Sequence, residues 1–154
     1  MDAPGPAAVG GTSDLALASD LRRAGLRVTR PRLGVYRALL ELDGHHSVDD
    51  IVAELRGRGA GLPRTSVYNV VEALRLAGLV MGADAGPGRA LYEAGSPPHH
   101  HFVCRACAQV RDVPCVTGET PCLGAGSLVG HVDEAQIIFR GLCPSCVEAP
   151  RQRQ

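Results

Sequence analysis

The chain has 154 residues, which is one domain or two small ones, and its sixteen basic and sixteen acidic residues leave no net charge. Two Phe, three Tyr and no Trp leave the core to Val, Leu, Ile and Ala. No apolar run is long enough to span a bilayer and no charged-then-apolar leader opens the chain, so a cytoplasmic protein with reduced thiols is expected.

Residues 1–12 are Gly, Pro and Ala with little else, and are expected to form a disordered tail. Three short helical patterns follow. The first runs from Ser13 to Ala24, with Leu17, Leu21 and Ala24 on one face and Gly25 as its stop. The second starts from the N-cap Thr29, tolerates Pro31 in its first turn and continues to Leu40. The third starts from Ser47, carries Asp49 and Asp50 near its positive end, buries Ile51, Val52 and Leu55, and is expected to end at Gly57.

The fourth pattern, Arg64 to Ala77, is the most regular. Val67, Val70, Val71 and Leu74 recur at i, i+3, i+4 and i+7, and Gly78 is a natural terminator. The opposite face carries Ser66, Tyr68, Asn69 and Arg75. Leu79–Met81 and Ala90–Glu93 then read as two strands joined by the Gly/Pro-rich loop 82–89. Helices followed by a hairpin make a winged helix-turn-helix, whose last helix before the wing is the reading helix. All basic residues of the chain are Arg. Six of them (Arg22, Arg23, Arg27, Arg30, Arg32, Arg37) lie between Asp20 and Glu41 with no acid among them. Such a patch suits either a solvated face or a phosphate backbone.

Residues 95–98 (Gly-Ser-Pro-Pro) read as a hinge between a DNA-binding domain of residues 13–94 and a second domain of residues 99–148, with a tail at 149–154. Strands are expected at Phe102–Val103, Val110–Val113 and Gln136–Arg140, whereas 116–130 is too rich in Gly and Pro for more than a short helix or an ordered loop. The fold class is therefore α+β: a winged helix-turn-helix followed by a small α/β domain, which the family resemblance given below implies is a dimerisation domain.

The second domain carries the chemistry. Two Cys-x-x-Cys pairs, Cys104/Cys107 and Cys143/Cys146, stand 35 residues apart and supply the four thiolates of a closed, tetrahedral structural Zn2+ site. His99, His100 and His101 directly precede the first pair. Alternation along a strand puts His99 and His101 on one side, where they suit a second, exchangeable metal. Glu93 and Asp112 add oxygen donors nearby, and His45-His46 adds a nitrogen from the first half; the alternative is a surface histidine cluster. Cys115 and Cys122 remain as buried thiols, a redox pair or spare ligands.

Together these residues resemble the ferric uptake regulator (Fur) family of bacterial metal-sensing repressors. The resemblance runs from Asp20 to Cys146. It takes in Leu21–Thr29 leading to Pro31-Arg32, His45-His46-Ser47, Thr65-Ser66-Val67-Tyr68, Tyr92-Glu93, the His99–Cys107 run and Cys143/Cys146. The stretches Asp112–Cys115 and Thr120–Leu123 resemble the actinobacterial branch linked to catalase genes and peroxide response. The resemblance implies a homodimer that represses transcription by binding a palindromic, AT-rich duplex operator. It implies structural zinc on Cys104, Cys107, Cys143 and Cys146, and a sensory Fe2+ or Mn2+ on His46, Glu93, His99, His101 and Asp112. Peroxide-sensing members carry Asp where Asp112 stands, and in them histidine ligands, here His46 and His99, become oxidised. Ser66, Tyr68 and Asn69 would meet the major groove, Arg27 the minor groove, and Arg30 and Arg64 the phosphates. His100 replaces a common Asp, and Ala135 a common His, so a further metal site would need Glu119 with His131. Two readings of other kinds compete: a small metalloenzyme acting on peroxide, for which no nucleophile–base pair is evident, and a zinc-stapled protein-binding module. An iron- or zinc-responsive uptake repressor without peroxide sensing is the alternative within the family.

Overall fold

The structure is a computed structural model that describes residues 13–95, 99–115 and 137–148. The expectations for both tails, for 96–98 of the hinge, for the stretch 116–130 and for Glu119, Cys122, His131, Ala135 and Gln136 lie outside the described residues. The chain divides into two compact units, residues 1–82 with 90–95 and residues 83–89 with 96–154.

The first unit holds helices α1 (Asp14–Arg23), α2 (Arg30–Leu42), α3 (Val48–Gly57) and α4 (Arg64–Leu76). Strands β1 (Val80–Asp84) and β2 (Ala90–Ala94) follow and form a two-stranded sheet. Three helix starts are set by side chains that satisfy otherwise unpaired amides. Ser13 accepts from the Ala16 amide at 3.3 Å, and Thr29 from the Arg32 amide at 3.4 Å. Ser47 goes further. It accepts from the Asp50 amide at 3.2 Å, while the Asp50 carboxylate accepts from the Ser47 amide at 2.8 Å, a reciprocal capping box. The hydroxyl and amide of Ser47 hold the Asp50 carboxyl below its ordinary 3.8.

The helices close on one core. Leu17 and Leu21 of α1, Val35 and Leu39 of α2, Ile51 and Leu55 of α3, and Val67, Val71 and Leu74 of α4 meet there, with Val80 and Tyr92 from the strands. The helical spacing of these residues is the pattern that the sequence shows. Gly57 ends α3, as expected. It is the last helical residue, and the reversal falls at Gly59, whose φ of +72° is the left-handed conformation that glycine adopts freely. Gly78, with φ +75°, ends α4 and turns the chain into β1. The arrangement is a winged helix-turn-helix in which α4 is the helix before the wing.

In the second unit β3 (His99–Cys104) is the central strand of a sheet of order β4-β3-β5. It pairs antiparallel with β4 (Val110–Pro114) and parallel with β5 (Ile138–Gly141). The strand takes in the three histidines ahead of Phe102-Val103, as the alternation of His99 and His101 requires. A one-turn helix α5 (Pro144–Glu148), which the sequence did not suggest, follows β5. Among the described residues of the second unit, Ala83, Ala85, Val103, Cys104 and Cys143 are the buried apolar ones. That is a small core beside the sixteen-residue cluster of the first unit.

Candidate metal centres and reading face

The parallel pairing of β3 with β5 brings Cys104 opposite Gly141, so the turns that follow both strands lie at one end of the sheet. Those turns carry the two cysteine pairs. The amide of Arg105 donates to the Gly141 carbonyl at 2.8 Å, and that of Ala108 to the Cys104 carbonyl at 2.9 Å, which fixes the first turn. The amides of Cys146 and Val147 both donate to the Cys143 carbonyl at 2.9 Å, which fixes the second. One sulfur from each of Cys104, Cys107, Cys143 and Cys146 lies within 4.8 Å of the others. Around a tetrahedral zinc with bonds of about 2.3 Å, neighbouring sulfurs stand about 3.8 Å apart. The Cys107 and Cys143 sulfurs are 3.8 Å apart.

Electrostatics agree with that geometry. Amides of Cys107 and Cys143 donate to the Cys104 sulfur, the latter from 3.3 Å, and bring its thiol down to about 6. The Cys146 thiol donates toward the sulfurs of Cys143 and Cys107 and is pushed up to about 12. Four sulfurs this close do not all ionise unless a cation sits among them, and zinc thiolates meet that need. The set fits structural zinc.

The first turn contains a local cost. Ala108 has φ +60°, a conformation in which a Cβ is strained and a β-branched side chain is an outlier. Ala108→Gly is expected to leave stability unchanged or raise it by up to about 1 kcal/mol, and Ala108→Val to lower it by more than about 1 kcal/mol. Urea midpoints of the zinc-loaded variants check both; a Val variant as stable as the parent would remove the strain.

A second set of donors stands on the same sheet. His99 and His101 share one face of β3, their ring centroids 4.7 Å apart and inclined at 70°. Asp112 of β4 lies directly across from His101, and its Oδ1 is 3.3 Å from His99 Nε2. His101 is fully buried. His100 points to the other face, as alternation requires, and is buried too.

The first unit carries a pair of its own. Glu93, only 3% exposed, has Oε2 at 3.3 Å from His45 Nε2. This differs from the expected His46. The reason is register. His46 forms an isolated antiparallel bridge with Tyr92, the amide of each donating to the carbonyl of the other at 2.9 and 2.8 Å. In such a pairing 45 falls opposite 93, and their side chains share a face. The His46 ring nitrogen instead contacts the Asp43 carbonyl at 2.7 Å. Two adjacent histidines cannot be told apart by spacing, so only the bridge reveals which one meets Glu93. Separations of about 3.0–3.3 Å suit neighbouring N and O ligands on one first-row ion with bonds of about 2.0–2.2 Å, so both half-sets fit such a metal.

Of the remaining cysteines, Cys115 is disulfide-bonded and half-buried; Cys122 lies outside the described residues. On the first unit Arg27, Arg30, Arg64, Tyr68 and Asn69 are exposed and Ser66 is half-buried. Arg64 pairs with Asp49 at 2.6 Å. The arginine-rich stretch is partly neutralised, since Arg23 pairs with Asp20 and Arg37 with Asp14.

The family model of the ferric uptake regulators matches residues 23–117, more than half of the chain. The chain belongs to the ferric uptake regulator family. It is 42% identical over 131 residues to the transcriptional regulator FurA of Mycobacterium tuberculosis, a match covering 84% of this chain and 88% of the relative. It is 40% identical over 121 residues to ferric uptake regulation protein 1 of Mycolicibacterium fortuitum, covering 77% and 74%. Among solved structures it is similar to the ferric uptake regulator of Pseudomonas aeruginosa with manganese, with a TM-score of 0.68 at 25% identity, covering 83% of this chain and 98% of that one. The protein is a metal-responsive transcriptional regulator of this family, whose members bind DNA and are dimers. Its relatives are named as regulators and not as enzymes. No helix among the described residues is long and apolar enough to cross a membrane.

Proposed function

We propose that the protein is a homodimeric repressor loaded with Fe(II), released from a palindromic, AT-rich operator when peroxide oxidises its histidine ligands. The observation that carries the reading is the pairing of two histidine–carboxylate half-sets with a winged helix. His45 with Glu93 and His99 and His101 with Asp112 would close on a single ion and thereby fix α4 for reading DNA. His46, the ligand expected from the resemblance, contributes its backbone to the same segment. Four thiolates, separately, hold zinc as a permanent staple.

Nitrogen and carboxylate donors suit iron, or manganese as its stand-in, and none of the described cysteines that remain free lies outside the zinc set. To move the dimer from 99:1 bound to 1:99 takes about 5.5 kcal/mol of differential binding, within reach of a multidentate ion. Fe(II), held by His45, Glu93, His99, His101 and Asp112, would supply the reducing electron for peroxide beside those histidine rings. The net change is that a ring C–H of a ligand histidine becomes C–O, one oxygen leaving as water. Asp112 beside His99 supports this outcome, as does the resemblance to the catalase-linked branch. On the reading face Ser66, Tyr68 and Asn69 would contact base edges, Arg27 the minor groove, and Arg30 and Arg64 phosphates.

The experiment is a peptide mass measurement. The protein contains Arg and no Lys, so trypsin releases residues 38–56 with His45 and His46, and 90–105 with Glu93 and His99–His101. After Fe(II) loading and a small dose of peroxide, one added oxygen is expected on one of these peptides, with none in the Mn(II) form. Unmodified histidines, with a peroxide-dependent change in the fraction of Cys115 held as disulfide, would move sensing to Cys115 and Cys122. No change in either would leave an iron- or zinc-responsive repressor without peroxide sensing.

A further inference from the structure

Strand β2 is two-faced. Glu93 turns toward His45, and the preceding Tyr92 turns the other way and is 4% exposed. The Tyr92 hydroxyl donates to Oε1 of Glu72 on α4 at 3.0 Å. The second oxygen of the same carboxylate accepts from Arg75 Nε at 3.2 Å. Arg75 is packed close against β1: a Cβ added at Gly82 would stand 3.2 Å from its Cδ. Glu72 is thus gripped from the wing on one side and from its own helix on the other.

Two further facts give the grip a direction. Tyr68, exposed on the reading face, sits one turn before Glu72 on the same stripe of α4. The backbone of Tyr92 is bonded in both directions to His46, next to His45. A single dipeptide, Tyr92-Glu93, therefore carries a candidate ligand on one face and a hold on α4 on the other. Any cation that repositions Glu93 against His45 shifts the segment from which Tyr92 projects.

Building on the metal-sensing reading above, we propose that Tyr92 is a positioning residue which, through Glu72, couples cation binding at His45 and Glu93 to the setting of α4 and so to DNA affinity. Tyr92 need not touch metal or DNA for this. Phenylalanine at this position keeps the ring and its packing and removes only the hydroxyl, so the coupling separates cleanly from the fold.

The test uses the full-length, zinc-replete protein with Mn(II) as probe. The duplex is one that the Mn(II)-loaded parent selects from a random-sequence library. Three quantities are read: Mn(II) affinity by calorimetry, the ratio of duplex affinities with and without Mn(II), and hydrogen exchange of α4 amides on adding Mn(II) without DNA. Tyr92→Phe is expected to bind Mn(II) within about 3-fold of the parent, yet to lose at least about 5-fold of the affinity ratio. It is also expected to lose the Mn(II)-induced protection of α4. Glu72→Gln, which keeps an acceptor for the hydroxyl, should retain most of the ratio, and Glu72→Ala should not. The double variant Tyr92→Phe/Glu72→Ala should be no worse than the poorer single variant, as members of one chain of contacts are. An unchanged ratio in Tyr92→Phe overturns the coupling. So does a ratio that falls only as far as Mn(II) affinity falls, which would reduce Tyr92 to holding the ligands. A parent protein that selects no duplex, or binds it equally with and without Mn(II), fails the metal-sensing reading itself and removes the basis of the coupling.

Discussion

Cys104→Ser is expected to abolish the unfolding transition of the second unit while the helical unit keeps its own. Structural zinc contributes about 10–16 kcal/mol of apparent binding energy, as much as the whole stability of a typical domain. Among the described residues little else offers comparable support: the second unit buries Ala83, Ala85, Val103, Cys104 and Cys143, against a cluster of sixteen in the first unit. Serine oxygen is a poor partner for zinc at neutral pH, so one substitution forfeits most of that energy. Calorimetry of parent and variant, with zinc counted per chain, gives the answer. A variant that retains one zinc per chain and both transitions would show that three thiolates suffice. Stripping zinc from the parent with a chelator should reproduce the loss, and adding zinc back should reverse it.

His45→Ala is expected to weaken Mn(II) binding at least 100-fold, whereas His46→Ala should stay within about 3-fold. Loss of a group that merely supports a ligand costs 10–100-fold, and loss of a ligand costs no less. The contrast follows from the bridge of His46 with Tyr92, which places His45 across from Glu93. His46 serves through its amide and carbonyl, which alanine retains. Titration calorimetry on zinc-replete protein measures both variants. The opposite order would mean that the segment shifts by one residue when metal binds, since a one-residue slip exchanges the faces.

The four helices were legible in the sequence because local rules and packing agree there. Ser13, Thr29 and Ser47 each cap as their chemistry suggests, and the apolar residues at helical spacing are those that fill the core. The end of α3 at Gly57 was legible as well, although the left-handed turn falls two residues later. Gly57 tolerates the helix, and only Gly59 takes the left-handed turn. The helix α5 has five residues, too few to show any periodicity. At the metal centres the four cysteines announced themselves by spacing, and alternation placed His99 and His101 together. The choice between His45 and His46 was not legible, since it depends on a pairing between segments 46 residues apart in sequence. Tyr92 and Glu72 looked like a core aromatic and a surface acid, and only the tertiary fold joins them.

The order of ligands along the chain has a consequence in time. Cys104 and Cys107 leave the ribosome well before Cys143 and Cys146, and β5, the parallel partner of β3, also comes late. At 5–20 residues per second the 39 positions from Cys107 to Cys146 take roughly 2–8 s to synthesise. Through that interval a growing chain already has all four helices and the wing but only half of its thiolates. Metal supply at the close of translation therefore sets when each new molecule matures, and zinc starvation would accumulate chains with a finished reading head and an open second unit. A cell short of zinc would then be expected to lose regulator to proteolysis before its second unit closes.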